Sequence, residues 1–413
     1  MSYIDDFFKR SDTKIATGIA CVALFLGSFG DEATQVMFAL RFSETGQTAP
    51  AQVSALLAAG LLGGISAGFF SPRLLAFFGA RRVINIVFIA EATLIAVASF
   101  MNTLFWCLIV SAALGCLGSI LWSAVMVALP ALFTDEAGID RANRVIQSVR
   151  NLGYVVGPLI GSIFFALSPG PQGFLYVAIL MLISVACTAI SLPKLLNVGV
   201  GTKNSYGDSK SVDILGLLRT EGVSRAITPL LITVLVTSAL NVLLLVRIRN
   251  ELGINAEIYG VIVATLSTGL VAGPVIFSSF VGKKIGEASG ASIAAAVIGL
   301  SIVIVGSTQL TWQIVVAAAF IGVANGVQNS LMSGFIIKRV DSTKRVLQMP
   351  AYVLLLQTAV FIGFIGSAFI HVDQAGLALV IVGFIATFVG LFGAFVNRSN
   401  KQQLSKKEKR ILR

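Results

Sequence analysis

Three carboxylates stand in otherwise apolar surroundings: Asp31 and Glu32 within residues 15–40 and Glu91 within residues 83–101. A charge near the centre of a membrane costs at least about 2.5–3.5 kcal/mol, so each asks for a reason. On a helix Ser28, Asp31 and Gln35 share one face by i, i+3, i+7 spacing, while Glu32 points roughly 100° away. The two neighbouring acids therefore meet different surroundings. Asp31 and Glu32 are candidates for proton coupling or substrate binding; the bland alternative is a satisfied packing residue near the outer surface. Glu91 is a third proton-coupling candidate, set against a buried, protonated Glu bonded to backbone. The basic counterpart is Arg150. Gln147, Arg150, Asn151 and Tyr154 recur at i, i+3, i+4, i+7 on an apolar helix, the pattern of a cavity wall. Arg150 is expected ~14 Å along that helix. It needs a carboxylate partner or an anionic substrate there, unless its stem snorkels to the surface. Trp122 and Gln35 join the substrate-binding candidates. The second half of the chain offers neutral groups only: Asn241, the cluster Asn325, Gln328 and Asn329, and Gln357. Amides of this kind also serve as interhelical glue, the favoured reading for the stack Thr233, Thr237 and Asn241.

The elements that must carry these residues are membrane helices. Of 413 residues, 56% are hydrophobic and 12% charged, about half the charge of a soluble domain. About twelve stretches reach the length of roughly 20 apolar residues that a crossing needs. They run over 15–42, 51–77, 83–101, 104–133, 141–167, 173–192, 223–246, 258–282, 291–307, 312–337, 346–370 and 376–396. The predicted organisation is a six-helix bundle over 1–193, a cytoplasmic linker over 194–222, a second six-helix bundle over 223–397 and a basic tail over 398–413. The opening MSYIDDFFKRSDTK is polar, so a cleavable signal peptide is not expected. The net charge of +11 falls almost wholly on one side of alternating spans, with only Arg41, Arg247 and Arg249 opposite. That asymmetry predicts both termini in the cytoplasm, reads the basic tail as an anchor beside anionic lipid, and excludes a nucleic-acid arm. Cys21, Cys107, Cys116 and Cys187 lie singly inside spans, and His371 stands alone in a loop beside Asp373. No metal and no cofactor is expected from them. With no HExxH, no GxSxG and no phosphate loop, an enzyme is not expected either.

The halves repeat faintly. LAFFGARR (75–82) answers SSFVGKK (278–284), each an apolar helix end followed by a turning glycine and a basic pair. RVIQ (144–147) answers RVLQ (345–348), and GSIF (161–164) answers GSAF (366–369). Gly60, Gly64 and Gly68, and likewise Gly153, Gly157 and Gly161, recur every four residues, a period that lets helices approach closely; Pro158 is expected to bend the fifth span.

With those features the chain resembles the major facilitator superfamily over nearly its whole length. The most specific segment, GYVVGPLIGS (153–162), is similar to that family's antiporter motif, with Gly153, Gly157, Pro158 and Gly161 matching and Ser162 replacing a glycine. The stretch 128–151 resembles the drug and siderophore exporter branch that includes macrolide efflux proteins. The resemblance implies an all-α membrane protein of twelve helices in two pseudo-symmetric bundles, of the bacterial inner membrane. It implies a monomer that exchanges a small amphipathic molecule for protons by alternating access. The loop between spans 2 and 3 departs from the family pattern: GFFSPRLLAFFGARR (68–82) has Pro72 and no Asp, which puts the usual carboxylate lock in doubt. GSFGDEA (27–33) is similar instead to bacterial lysophospholipid flippases of the same superfamily, and a metal or siderophore-related carrier is a third reading.

Overall fold

The computed structural model describes residues 18, 21–38, 41, 50–128, 136–167, 171–191, 212–254 and 256–411. The N-terminal 17 residues, the acidic loop at 129–135 and most of the central connection (192–211) lie outside them. The described residues are helical with short turns and no strand. Helix α1 covers 21–38. The others are α2 Pro50–Phe78, α3 Ala80–Ala98, α4 Leu104–Ala128, α5 Glu136–Leu167, α6 Pro171–Ser191, the short α7 Ile214–Arg219, α8 Val223–Val246, α9 Ala256–Ile276, α10 Ser278–Ile285, α11 Glu287–Ser307, α12 Thr311–Arg339, α13 Arg345–Ala368 and α14 Ala375–Ile411.

Among the described residues eight helices are long and apolar enough to cross a membrane: α2, α4, α8, α9, α11, α12, α13 and α14. The other four expected spans are helical too. Three of them carry charged residues within their length: α1 has Asp31 and Glu32, α3 has the buried Glu91 with Arg81 and Arg82 at its start, and α5 has Arg150; α6 has the shorter apolar run Gln172–Thr188. The residues that mark a site are thus also those that dilute the hydropathy of their helices.

The chain divides into two compact units, one of Met1–Ile214 with Asp341–Gln357, the other of Leu215–Val340 with Thr358–Arg413. The first turns of α13 group with the first unit and its remainder with the second. Within each unit the same helix pairs recur. In the first, α2 packs on α4, α3 on α4 and α3 on α6; in the second, α9 packs on α12, α11 on α12 and α11 on α14. These are spans 2–4, 3–4 and 3–6 and their counterparts six spans later.

One end of the spans repeats as well, through the arginines that break the charge asymmetry. Arg41 Nη1 donates to the carbonyls of Ala98 (3.2 Å) and Met101 (2.8 Å), Nη2 donates to Ser99 (3.2 Å), and the guanidinium lies 4.4 Å over Phe174 of α6. Arg247 donates to the Thr308 carbonyl at 3.1 Å and pairs with Glu251 at 2.5 Å; Glu251 in turn accepts from the Gly376 amide at the start of α14. Each arginine meets carbonyls at the end of a helix, and Glu251 meets an amide that begins one. Each clasp ties spans 1, 3 and 6, or 7, 9 and 12, together.

Several boundaries differ from the sequence expectation. Span 8 is broken: α9 ends at Ile276 and α10 follows after Phe277. The turning glycine of the second half is Gly286 (φ 98°) and not Gly282, which lies inside α10; its first-half counterpart is Gly79 (φ 77°). A left-handed backbone is open to glycine without strain, so those two positions mark the turns. The pair Lys283–Lys284 thus closes α10, whereas Arg81–Arg82 open α3. Helix α5 begins at Glu136 and not at Arg141. The basic tail continues α14 to Ile411, as its run of Lys, Gln, Leu and Glu permits. In the loop before α13, the Thr343 amide donates to Asp341 at 2.9 Å and holds that carboxyl below its ordinary range. The Gln348 amide donates to Asp213 at 3.0 Å, and Lys338 pairs with Glu287 in the second unit.

Candidate functional site

The antiporter-like segment of α5 lies against α1. A Cβ at Gly153 would fall 2.6 Å from Ser28 Cβ, at Gly157 2.7 Å from Glu32 Cβ and 2.8 Å from the Phe29 carbonyl, and at Gly161 2.8 Å from Ala33 Cα. Three glycines one turn apart thus let two backbones touch along two turns, the use to which small-residue periods are put. The sequence counterpart in the second unit packs differently. Among the described residues no other element comes within 4 Å of a Cβ at Gly366 of GSAF, and the close approach to α8 falls at Gly363, where a Cβ would lie 2.3 Å from the Leu235 carbonyl.

Helices α1, α3 and α4 meet in layers. A Cβ at Gly27 would contact Phe88 (2.9 Å) and Leu121 (3.2 Å). One turn further along α1, Asp31 Oδ2 lies 2.9 Å from where a Gly118 Cβ would stand. Glu91, three residues on from Phe88, belongs to the same layer and is fully buried. Another turn along α1, the Ser111 hydroxyl donates to Gln35 Oε1 at 3.3 Å. Among the described residues no hydrogen-bond partner meets Asp31 Oδ1 or either Glu91 oxygen. Glu32 flanks Gly157 on the α5 side, so the two adjacent acids do have different neighbours.

Arg150 is not drawn out to the surface. Its guanidinium lies 4.2 Å over the ring of Trp122 and 5.1 Å from that of Tyr154, and its charge acts on Asp31, Glu32 and the buried Tyr352 of α13. Among the described residues it is met by aromatic faces and not by an ion pair, an arrangement worth about 2 kcal/mol when desolvated. Gln147 and Asn151 are buried on the same helix. Gln357 Nε2 donates to the Ser119 hydroxyl at 3.0 Å, where Gly64 leaves room for both.

The first unit therefore brings together Asp31, Glu32, Gln35, Glu91, Trp122, Arg150, Tyr154 and Gln357. Ser111, Ser119 and Tyr352 belong there too and escape a reading of charge and amide spacing. Ser111, Gly115 and Ser119 do recur every four residues in α4, and that small-residue period is the signal that would have found them.

The remaining candidates belong to the second unit. Asn329 donates to Asn325 at 3.0 Å, while Gln328 on the same helix is fully buried, with no partner for its amide among the described residues. Asn241 is exposed on α8, and Thr233 and Thr237 bond carbonyls of their own helix at 2.7 and 3.1 Å. The described residues include no cluster of three metal-ligating side chains.

Repeating bundles of apolar helices, with a group of opposed charges in the first, have the form of a membrane carrier. The chain belongs to the Major Facilitator Superfamily, whose family model matches residues 20–347, and it is accordingly a secondary transporter. Among solved structures it is similar to the human organic anion transporter MFSD10 (TETRAN). That match has 12% identity and a TM-score of 0.73, over 93% of this chain and 99% of that one, a likeness of fold. No curated protein matches it in sequence.

Proposed function

We propose that the protein is a proton-coupled exporter of a small, partly apolar molecule, with Asp31 as the group that takes up and releases the proton. The observation that carries this reading is the unpartnered Asp31 Oδ1, buried within electrostatic reach of Arg150. Apolar surroundings favour the neutral form of a carboxyl in general, and the approach of a cation favours the charged form. If the distance to Arg150 differs between inward- and outward-facing states, proton affinity differs too, and that difference is what coupling requires. Glu32, beside Gly157, is the second choice. Trp122, Tyr154, Gln35 and Gln357 supply aromatic and amide contacts for a cargo of mixed polarity. Outward transport is favoured by the resemblance of the α5 segment to an antiporter motif. A second reading, a lysophospholipid flippase, is favoured by Arg150 standing with the carboxyl groups of Asp31 and Glu32, since a zwitterionic headgroup offers partners to both signs of charge.

The test is uptake into inverted proteoliposomes under an imposed pH gradient. Ethidium, a ferric siderophore and lysophosphatidylcholine are the probes. The wild type should accumulate a probe only with the gradient. Asp31→Asn should lose accumulation yet retain downhill exchange, and Asp31→Glu should keep part of it. Gradient-driven accumulation by Asp31→Asn equal to wild type would eliminate Asp31 as the coupling group. Gradient-independent movement of the lysolipid alone would select the flippase.

A further inference from the structure

Glu91 has no role in the coupling scheme above, yet it is the most completely enclosed charged residue of the first unit, with zero exposure and both oxygens unpartnered among the described residues. A buried carboxylate without a donor is far costlier than a buried acid. The elements around it offer no cation. Helix α4 contains no charged residue, and α6 contains none, its Thr188 donating instead to Asn85 of α3 at 2.5 Å. Helix α2 has only the exposed Arg73, and α3 itself has Arg81 and Arg82 three turns away at its start. Other titratable groups on these helices are thiols and a phenol: Cys107 and Cys116 on α4, Cys187 and Tyr176 on α6. Helix α1 brings Asp31 and Glu32, and the charge that acts on Glu91 is that of Asp31; Arg150 of α5 acts on Asp31 and Glu32, which in turn act on Tyr154.

The layers explain why Asp31 is the neighbour. Helices α1 and α3 run the same way, with Gly27 against Phe88, so one turn on from that contact Asp31 stands level with Glu91. Asp31 Oδ2 is turned toward the Gly118 backbone of α4, which leaves Oδ1 as its unpartnered atom. Three oxygens of two carboxyls in one layer lack a partner, and a carboxylic acid donating to a carboxylate satisfies two of them with one hydrogen bond.

We propose that Asp31 and Glu91 form a single proton site between α1 and α3, in which Glu91 stays protonated throughout. When Asp31 is ionised, the Glu91 hydroxyl donates to Asp31 Oδ1. When Asp31 takes up the transported proton, the site holds two protons and no charge. Two like charges do not coexist there, so one proton, and not two, exchanges per cycle at this pair. Glu91 is thus a positioning residue: it keeps a donor facing Asp31 and lets that carboxylate exist away from water. The inference rests on Asp31 as the titrating group, but its test uses neither substrate nor transport.

Infrared difference spectra of the full-length protein in lipid nanodiscs, taken across a pH titration, read protonated carboxyls directly. In a Glu32→Gln background, where Glu32 contributes no band, the protein should show one protonated-carboxyl band lost on raising the pH and a second that persists. The persistent band should move to lower frequency as the first disappears, because its hydroxyl then donates to a carboxylate. Glu91→Gln should remove the persistent band and leave the titrating one. Asp31→Asn should remove the titrating band and leave the other static. A persistent band that survives Glu91→Gln, or that ignores the titration of Asp31, overturns the shared site. Thermal melting of both variants near the wild-type temperature shows that the lost bands do not come from misfolding. Loss of the coupling hypothesis by transport assay would leave these spectra standing, and the converse also holds.

Discussion

Gly157→Ala isolates the contact between α1 and α5 with a single methyl group. The new Cβ would stand 2.7 Å from Glu32 Cβ and 2.8 Å from the Phe29 carbonyl oxygen. Optimal carbon contacts lie at about 3.5–4.0 Å, so the helices must part by roughly 0.7 Å or more. The Phe29 oxygen is main chain and cannot rotate away. Overpacking of this sort costs about 1–3 kcal/mol, against which alanine recovers about 1 kcal/mol of helix propensity. The net expectation is a loss of up to about 2 kcal/mol. For a unit of some 200 residues this lowers the melting temperature by about 2–4 °C per kcal/mol. The internal control is Gly366→Ala on α13, where no neighbouring element among the described residues comes within 4 Å of the added carbon. Only the propensity gain operates there, so melting should be unchanged or slightly higher. A thiol-reactive dye that reports exposure of the native Cys21, Cys107, Cys116 and Cys187 follows both variants in detergent. Equal melting of Gly157→Ala and Gly366→Ala would refute the account of the α5 glycines as a contact surface.

Two further outcomes are expected. With the termini cytoplasmic, a cysteine at the exposed Ser342 should resist an impermeant thiol reagent added to intact cells, whereas one at the exposed His371 should react; the reverse pattern would invert the topology. Arg247→Gln should lower the melting temperature of the second unit, since hydrogen bonds to charged groups contribute about 1.5–3 kcal/mol, and Glu251→Gln should add little to it because both act through one clasp. Full additivity of the pair would mean that the clasp is not a unit.

Much of the architecture is legible in the chain itself, because lipid imposes its own grammar. A helix must satisfy its backbone internally and present apolar side chains for the width of the bilayer, so span after span can be read from composition alone. The antiporter-like segment could be read as a packing surface from its glycine period, since only a missing side chain permits backbone contact. Asp31, Glu91 and Arg150 could be singled out because a charge in an apolar run is costly anywhere. What those charges face was not legible. Periodicity assigns a residue to a side of its own helix and is silent on which helix lies across from it. Only the tertiary structure decided that Arg150 rests on Trp122 and Tyr154 and not on a carboxylate, and that Glu91 shares a layer with Asp31. It also showed Arg41 and Arg247, which look like exceptions to a charge rule, closing helix ends. The second-half repeat misleads for the same reason. GSIF and GSAF are alike as strings, but Gly161 meets Ala33 while Gly366 meets no neighbouring element among the described residues, because a helix's contacts are set by the register of its neighbour, which its own sequence does not contain.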